Sequence, residues 1–201
     1  MRVEVSEEPL TALERYGDIS IAFEVCAVLE VAGPGEGLGG FVLTERGVDA
    51  PYVKDYDAIE EPALWAKRFD VSRWGLFAAR VDERRVGGAV VAFDTPGLDM
   101  LEGRRDLAVL WDIRVSPEAR GRGVGSALFR AVELWAVARG CRRLKVETQN
   151  VNVPACRFYE RQGCVLAEVR RDAYPELPGE IQLLWHKAVN HAGPLGLKGR
   201  P

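Results

Sequence analysis

Residues 107–139 read LAVLWDIRVSPEARGRGVGSALFRAVELWAVAR, and three patterns follow one another inside them. Leu107 to Val115 is an apolar run with several β-branched residues that stops at Ser116-Pro117, which predicts a strand ended by a tight connection. Val124, Leu128, Ala131, Val132, Trp135 and Ala138 then recur at helical spacing as far as Gly140, so a helix begins inside the run Arg120-Gly-Arg-Gly-Val-Gly125. The order is strand, glycine loop, helix. The first-turn N–H groups of a helix lack intrahelical partners and sit at the positive end of its dipole, and glycines there let a pyrophosphate approach the backbone. Arg120 and Arg122 add two cations beside them. A phosphate-bearing ligand is the first expectation.

What the loop lacks narrows that ligand. A P-loop needs a lysine followed by serine or threonine after its last glycine, and here Gly125 is followed by Ser126-Ala127. A dinucleotide fold needs G-x-G-x-x-G and an acid at the end of the next strand; the spacing of Gly121, Gly123 and Gly125 is wrong, although Glu147 sits near the right distance. The spacing that fits is Arg120-x-x-Gly123-x-Gly125, which resembles the acetyl-CoA pyrophosphate loop of the GNAT acyltransferase superfamily.

Composition sets the outer bounds. A chain of 201 residues fits one domain able to bury a sizeable core, here expected as 1–189 with a mobile tail at 190–201. No apolar run approaches the roughly 18 to 20 residues that span a bilayer, and the start MRVEVSEEPL lacks the basic and apolar regions of a signal peptide. A soluble, cytoplasmic protein is expected. Cys26, Cys141, Cys156 and Cys164 show no metal-ligand spacing with each other or with His186 and His191, so reduced thiols and no metal site are expected. A net charge of −3 argues against nucleic acid as the main partner.

Outward from the glycine loop, Trp74 to Val81 and Val86 to Phe93 read as a hairpin around Asp82-Glu-Arg-Arg85, with a loop at Asp94 to Arg105. Further upstream, Thr11 to Tyr16 suggests a short helix. Ile19 to Ala32 favours a strand and leaves helix open for part of its length. Phe41 to Arg46 reads as a second strand beyond the glycine-rich turn Gly33 to Gly40. Tyr52 to Glu61 holds four acids against one lysine: either a solvated loop running into a short helix at Pro62 to Phe69, or a wall that attracts a cationic substrate. Downstream, strands are predicted at Arg143 to Thr148, Cys164 to Val169 and Ile181 to Lys187, with a helix opened by Pro154 and closed by Gly163.

That helix carries the second likeness. Asn152-Val-Pro-Ala155-Cys-Arg-Phe158-Tyr159-Glu-Arg-Gln-Gly163 resembles the second GNAT signature, N-x-x-A-x-x-F-Y-x-x-x-G, one strand after the pyrophosphate helix where the family keeps it. The resemblance covers roughly 74–187. It implies an α/β fold: a mixed, mostly antiparallel sheet, splayed between the Leu107 and Arg143 strands, with helices on both faces. It also implies an N-acetyltransferase in which acetyl passes from acetyl-CoA directly to a primary amine. Carried over by position, the Ile113 N–H polarises the thioester carbonyl, Val115 pairs the pantetheine, and main-chain groups of Arg120, Gly121, Arg122, Gly123, Val124 and Gly125 hold the pyrophosphate. Asn152 contacts the cofactor, and Tyr159 is the general acid. Many relatives carry a glutamate two positions before the Ile113 equivalent, where this chain has Trp111. Asp112 and Glu147 are the nearest replacement bases, although Asp112 could instead anchor a loop and Glu147 pair with Arg142 or Arg143.

Within the superfamily the chain is similar to streptothricin acetyltransferases, through Pro51-Tyr52-Val-Lys54-Asp-Tyr56, Trp111 to Val115, Val146-Glu-Thr-Gln-Asn150 and Leu184-Trp185. That likeness implies a small cationic amine substrate and antibiotic resistance, with Tyr52, Asp55, Tyr56 and Asp57 on the substrate wall. Acetylation of a protein N-terminus or lysine, and a non-catalytic acyl-CoA sensor, are the alternatives. A homodimer is left open.

Overall fold

The computed structural model describes residues 2–33 and 40–189. Most of the Gly33 to Gly40 turn, and the tail from Asn190, lie outside the described residues. In chain order the elements are β1 (Glu4–Glu8), β2 (Phe23–Ala32), β3 (Val42–Lys54), α1 (Trp65–Arg68), β4 (Gly75–Val81), β5 (Arg84–Phe93), β6 (Leu107–Val115), α2 (Val124–Ala138), β7 (Arg143–Gln149), α3 (Val153–Arg161), β8 (Val165–Arg170) and β9 (Gln182–Ala188). Short 3-10 turns at Leu10–Asp18, Pro62–Leu64, Asp99–Leu101 and Pro117–Ala119 connect them. Seven strands form one sheet in the order β1-β4-β5-β6-β7-β9-β8, antiparallel except for β6 against β7, while β2 and β3 pair as a separate ribbon.

The apolar runs of the central strands are nearly continuous because both sheet faces are covered. Ala89, Val91, Ala108 and Leu110 meet Leu128, Phe129 and Val132 of α2 and Tyr159 of α3 on one face. Their neighbours in sequence, Val90, Ala92, Leu107 and Val109, meet Leu13, Tyr16, Trp65 and Trp74 on the other. Tyr16 lies so close to β5 that a Cβ on Gly88 would stand 2.6 Å from its ring. Only glycine fits there.

Two irregularities in β6 shape the site. Its parallel ladder with β7 runs from Leu107↔Arg143 to Leu110↔Val146 and then stops, so the two strands part. On its other edge Val91 pairs Leu110 while Val90 pairs Asp112, leaving Trp111 as the extra residue of a β-bulge. Trp111 and Asp112 therefore face the same side in succession.

The expected splayed sheet is present, with three differences at its margins. Residues 4–8 form an edge strand that their charged sequence, EVSEE, did not announce. The second ribbon strand continues past Arg46 to Lys54, through Tyr52, which the sequence assigned to a loop. Pro51 is tolerated because four residues, Val48 to Pro51, stand opposite Cys26 alone, outside the regular ladder where a missing N–H would cost a bond. The short helix expected at Thr11 to Tyr16 is a 3-10 turn. Among the described residues no helix is long and apolar enough to cross a membrane.

Candidate active site

A cleft of about 1250 Å³ opens where β6 and β7 part. The alternation of side chains divides its walls. Phe158, Tyr159 and Ala155 reach it from the face covered by α2 and α3, while Trp65, Phe69 and Trp111 line it from the opposite face. The splay is a passage through the sheet between them.

At the α2 end the wall is backbone. Gly121 and Gly123 have φ of +72° and +84°, a region that side chains with a Cβ rarely adopt, and a Cβ on either would meet open space. Gly123 caps α2 without a side-chain hydrogen bond, which leaves first-turn N–H groups free to meet an anion. Gly125 brings α2 against α3, since a Cβ there would lie 3.2 Å from the Phe158 ring. This cradle fits a pyrophosphate. The two arginines contribute differently from the sequence expectation: Arg120 donates through Nε to the Val115 carbonyl at 3.0 Å and through Nη2 to the Ala22 carbonyl at 3.1 Å, and Arg122 is off the cleft wall. Arg120 fastens the loop. The Val124 side chain is buried in the core, while Ile113 and Val115 pack against the core and line the cleft. Asn152 caps α3, its Oδ1 accepting from the Ala155 N–H at 3.2 Å, and lines the cleft.

Tyr159 sits at the waist of the passage. It is buried, and no described residue hydrogen-bonds its hydroxyl. Burial first, then the Asp112 charge, pushes its pKa well above the ordinary tyrosine value, so the phenol keeps its proton at neutral pH.

The carboxylates divide into held and free. Asp112 accepts from the Tyr16 hydroxyl at 2.6 Å and from Arg114 Nε and Nη2 at 2.9 and 2.8 Å. Arg114, whose side chain is fully buried, also donates to both Asp57 oxygens at 2.7 and 3.0 Å and to the Ile19 carbonyl at 3.0 Å. All five of its N–H groups are thereby used. Asp112 is an anchor, one of the two readings its sequence position left open. Asp57 lines the cleft and is ion-paired with Arg114, which it shares with Asp112, and Glu60 is paired with Arg68 at 2.9 Å. Tyr52 and Asp55 do not line the cleft: Tyr52 is on the exposed part of β3, and Asp55 Oδ1 accepts from the Asp57 N–H at 3.0 Å in a local turn. Tyr56 does line it, donating to Glu180 at 2.8 Å, and Lys54 pairs with the same carboxylate.

Glu147 is different. It lies on the cleft wall with no cation within salt-bridge distance among the described residues, and so pairs with neither Arg142 nor Arg143. The Tyr174 hydroxyl donates to it, and Gln149 Nε2 donates to the Tyr174 oxygen at 3.0 Å. Burial, then the Glu147 charge, holds the Tyr174 pKa well above its ordinary value, so this tyrosine stays a donor. Sequence reading missed Arg114, Tyr174 and Glu180. Arg114 had a signal: a cation two residues after an acid, inside an apolar strand, puts both on one face. Tyr174 and Glu180 belong to the loop between β8 and β9, where no pattern marked them.

A two-ended cleft of this kind, with a backbone cradle at a helix start and a splayed strand beside it, is the cofactor frame of an acyl-CoA-dependent transferase. The chain belongs to the Acetyltransferase (GNAT) family, whose profile matches residues 45–164. It is an acetyl-CoA-dependent acetyltransferase acting on an amine, and it is related to streptothricin acetyltransferases. It is 30% identical over 150 residues to "Streptothricin acetyltransferase" of Escherichia coli, covering 73% of this chain and 76% of that one. It is 31% identical over 144 residues to the Streptomyces lavendulae protein of the same name, covering 71% and 70%. The crystal structure of nourseothricin acetyltransferase superposes with a TM-score of 0.72 at 26% identity, covering 94% of this chain and all of that one. A Bacillus anthracis structure titled as a putative streptothricin acetyltransferase in complex with acetyl coenzyme A shares the fold, with a TM-score of 0.74 at 24% identity.

Proposed function

We propose that the protein acetylates a primary amine of a streptothricin-type antibiotic and so inactivates it. The observation that carries this reading is the likeness to streptothricin acetyltransferases from separate genera at 30% and 31% identity over most of each chain. The acceptor side of the cleft supports it: Glu147, an unneutralised carboxylate beside the splay, suits a cation.

When bound, acetyl-CoA supplies an acetyl group activated as a thioester. In our reading the N–H groups of Gly121 to Gly125 hold the pyrophosphate, the free edge of β6 at Ile113 and Val115 aligns the pantetheine arm, and Asn152 contacts it. The Ile113 N–H donates to the thioester carbonyl oxygen, where negative charge grows as the amine attacks. An amine with an ordinary pKa near 10 is mostly protonated at pH 7, so a base must act first. Glu147 takes that proton. We assign the duty to Glu147 rather than Asp112 because Tyr16 and Arg114 already donate to the Asp112 oxygens. Tyr159, kept protonated by burial, gives its proton to the departing thiolate.

The test is direct. Purified protein with acetyl-CoA and streptothricin should release one free thiol per antibiotic consumed, yield a mono-acetylated product by mass, and remove the antibiotic's growth inhibition. Thiol release with other small amines but none with streptothricin would refute the substrate while leaving the acetyltransferase intact.

A further inference from the structure

At Leu110↔Val146 the parallel ladder ends with both side chains in the core under α2 and α3. The next residue of each strand, Trp111 and Glu147, therefore faces the other way, into the acceptor end of the cleft. They flank the mouth of the passage together. Trp111 is held edge-on by Phe69, with ring centroids 5.5 Å apart, and packs against Trp65 and Trp74 at 6.2 and 5.4 Å. Met100, from the turn after β5, and Leu177, from the β8–β9 loop, are half-buried and line the same end.

Of the acids lining the cleft, Asp57 is held by Arg114, which it shares with Asp112, and Glu60 by Arg68, while Glu24 and Asp99 are exposed carboxylates. Trp111, Phe69 and Met100 form an apolar floor leading to the carboxylate of Glu147, which Tyr174 holds by a hydrogen bond. Such a surface gains free energy by covering methylene groups. It gains nothing from hydroxyls, whose hydrogen bonds to water would go unreplaced.

We propose that the acceptor end of this cleft selects a primary amine carried on an extended aliphatic stem, the stem lying on Trp111, Phe69 and Met100 and the ammonium meeting Glu147 and Tyr174. The bulge is what permits it. By adding one residue to β6 it lets Trp111 face the acceptor while Ile113 returns to the core side, whereas regular alternation would have put it beside Trp111. The proposal rests on the acetyltransferase reading and adds a rule for its substrates. The reacting amine is read at Glu147, and the stem behind it is read by its apolar length.

A series of straight-chain monoamines from propylamine to hexylamine, one charge each, tests this through thiol release from acetyl-CoA. Specificity, kcat/KM, should climb about fourfold per added methylene until the floor is spanned, which is the rate equivalent of burying a CH₂ group. Glucosamine, also a primary amine but hydroxylated, should fall below butylamine. In Trp111→Ala the slope should flatten, in Trp111→Phe it should persist, and in Tyr174→Phe every member should weaken by a similar factor with the slope kept. A flat series in the unaltered enzyme, or glucosamine matching hexylamine, overturns the proposal without recourse to a variant. Streptothricin acetylated alongside a flat series removes this inference alone. An enzyme that binds acetyl-CoA and acetylates neither streptothricin nor any amine of the series removes the proposed function as well.

Discussion

The two ends of the cleft are built from different materials. The cofactor end is main chain: positive-φ glycines, the uncapped start of α2 and a strand edge without a neighbour. The acceptor end is side chain, drawn from α1, the turn after β5, β6, β7 and the β8–β9 loop. A backbone site constrains a few consecutive positions very tightly. A side-chain site spreads its constraint over segments far apart in sequence, each free to vary. One frame can thus serve one cofactor and many acceptors.

The sharpest way to break this contrast is at the residue that ties the ends together. Arg114→Met leaves the buried carboxylate of Asp112 and the half-buried one of Asp57 without their shared cation, and unfolding in urea should show about 3–5 kcal/mol lost stability. A variant of unchanged midpoint would mean the hub is dispensable. At the cofactor end, Gly123→Val puts a β-branched residue at φ of +84° and a side chain into the anion cradle. We expect acetyl-CoA affinity by calorimetry to fall roughly 100-fold or more, at about 1.4 kcal/mol per tenfold, and normal affinity would move the pyrophosphate elsewhere.

Between the ends, Tyr159→Phe should lower kcat by roughly 10²-fold with acetyl-CoA affinity nearly unchanged. Because burial disfavours the phenolate, the Tyr159 proton stays on above the ordinary tyrosine value, so ionisation of this residue should cause no fall in kcat up to about pH 10. An alkaline fall at lower pH that vanishes in Tyr159→Phe would contradict that. The smallest effect is expected outside the cleft. Asp55→Asn should leave the acceptor KM within about twofold, as expected for an exposed charge in salt-containing buffer, and a large rise in KM would bring Asp55 into the acceptor wall.

The same contrast explains what could be read from sequence. The strand, glycine loop and helix at 107–139 were legible because local periodicity and positive-φ glycines write directly into residue types. So was α3, with its Asn152 cap and proline start. The bulge at Trp111 was not, since it is defined by which residues of β5 stand opposite, and one sequence fits either register. The acid-rich stretch after Tyr52 was legible only in part, for a related reason: Tyr56, Asp57 and Glu60 line the cleft and Tyr52 and Asp55 do not. Composition counts charges, whereas the cleft feels only those without partners, and the partners Arg114 and Arg68 are set by tertiary folding. β1 was hidden because an exposed edge strand needs little apolar pattern.

The four cysteine thiols are all free, and they differ in a way that bears on a reaction releasing a thiol at every turnover. Cys141, Cys156 and Cys164 are buried, and burial pushes the pKa of each up to about 11, so their thiolates are scarce at neutral pH. Thiolate is the form that attacks a disulfide or an alkylating reagent. Oxidised coenzyme A should therefore leave the core untouched as product accumulates. Cys26 alone faces solvent, on β2 opposite the Val48–Pro51 bulge. It is thus a ready-made single attachment point for a fluorophore on the ribbon, reporting on that strand pair without introducing a residue.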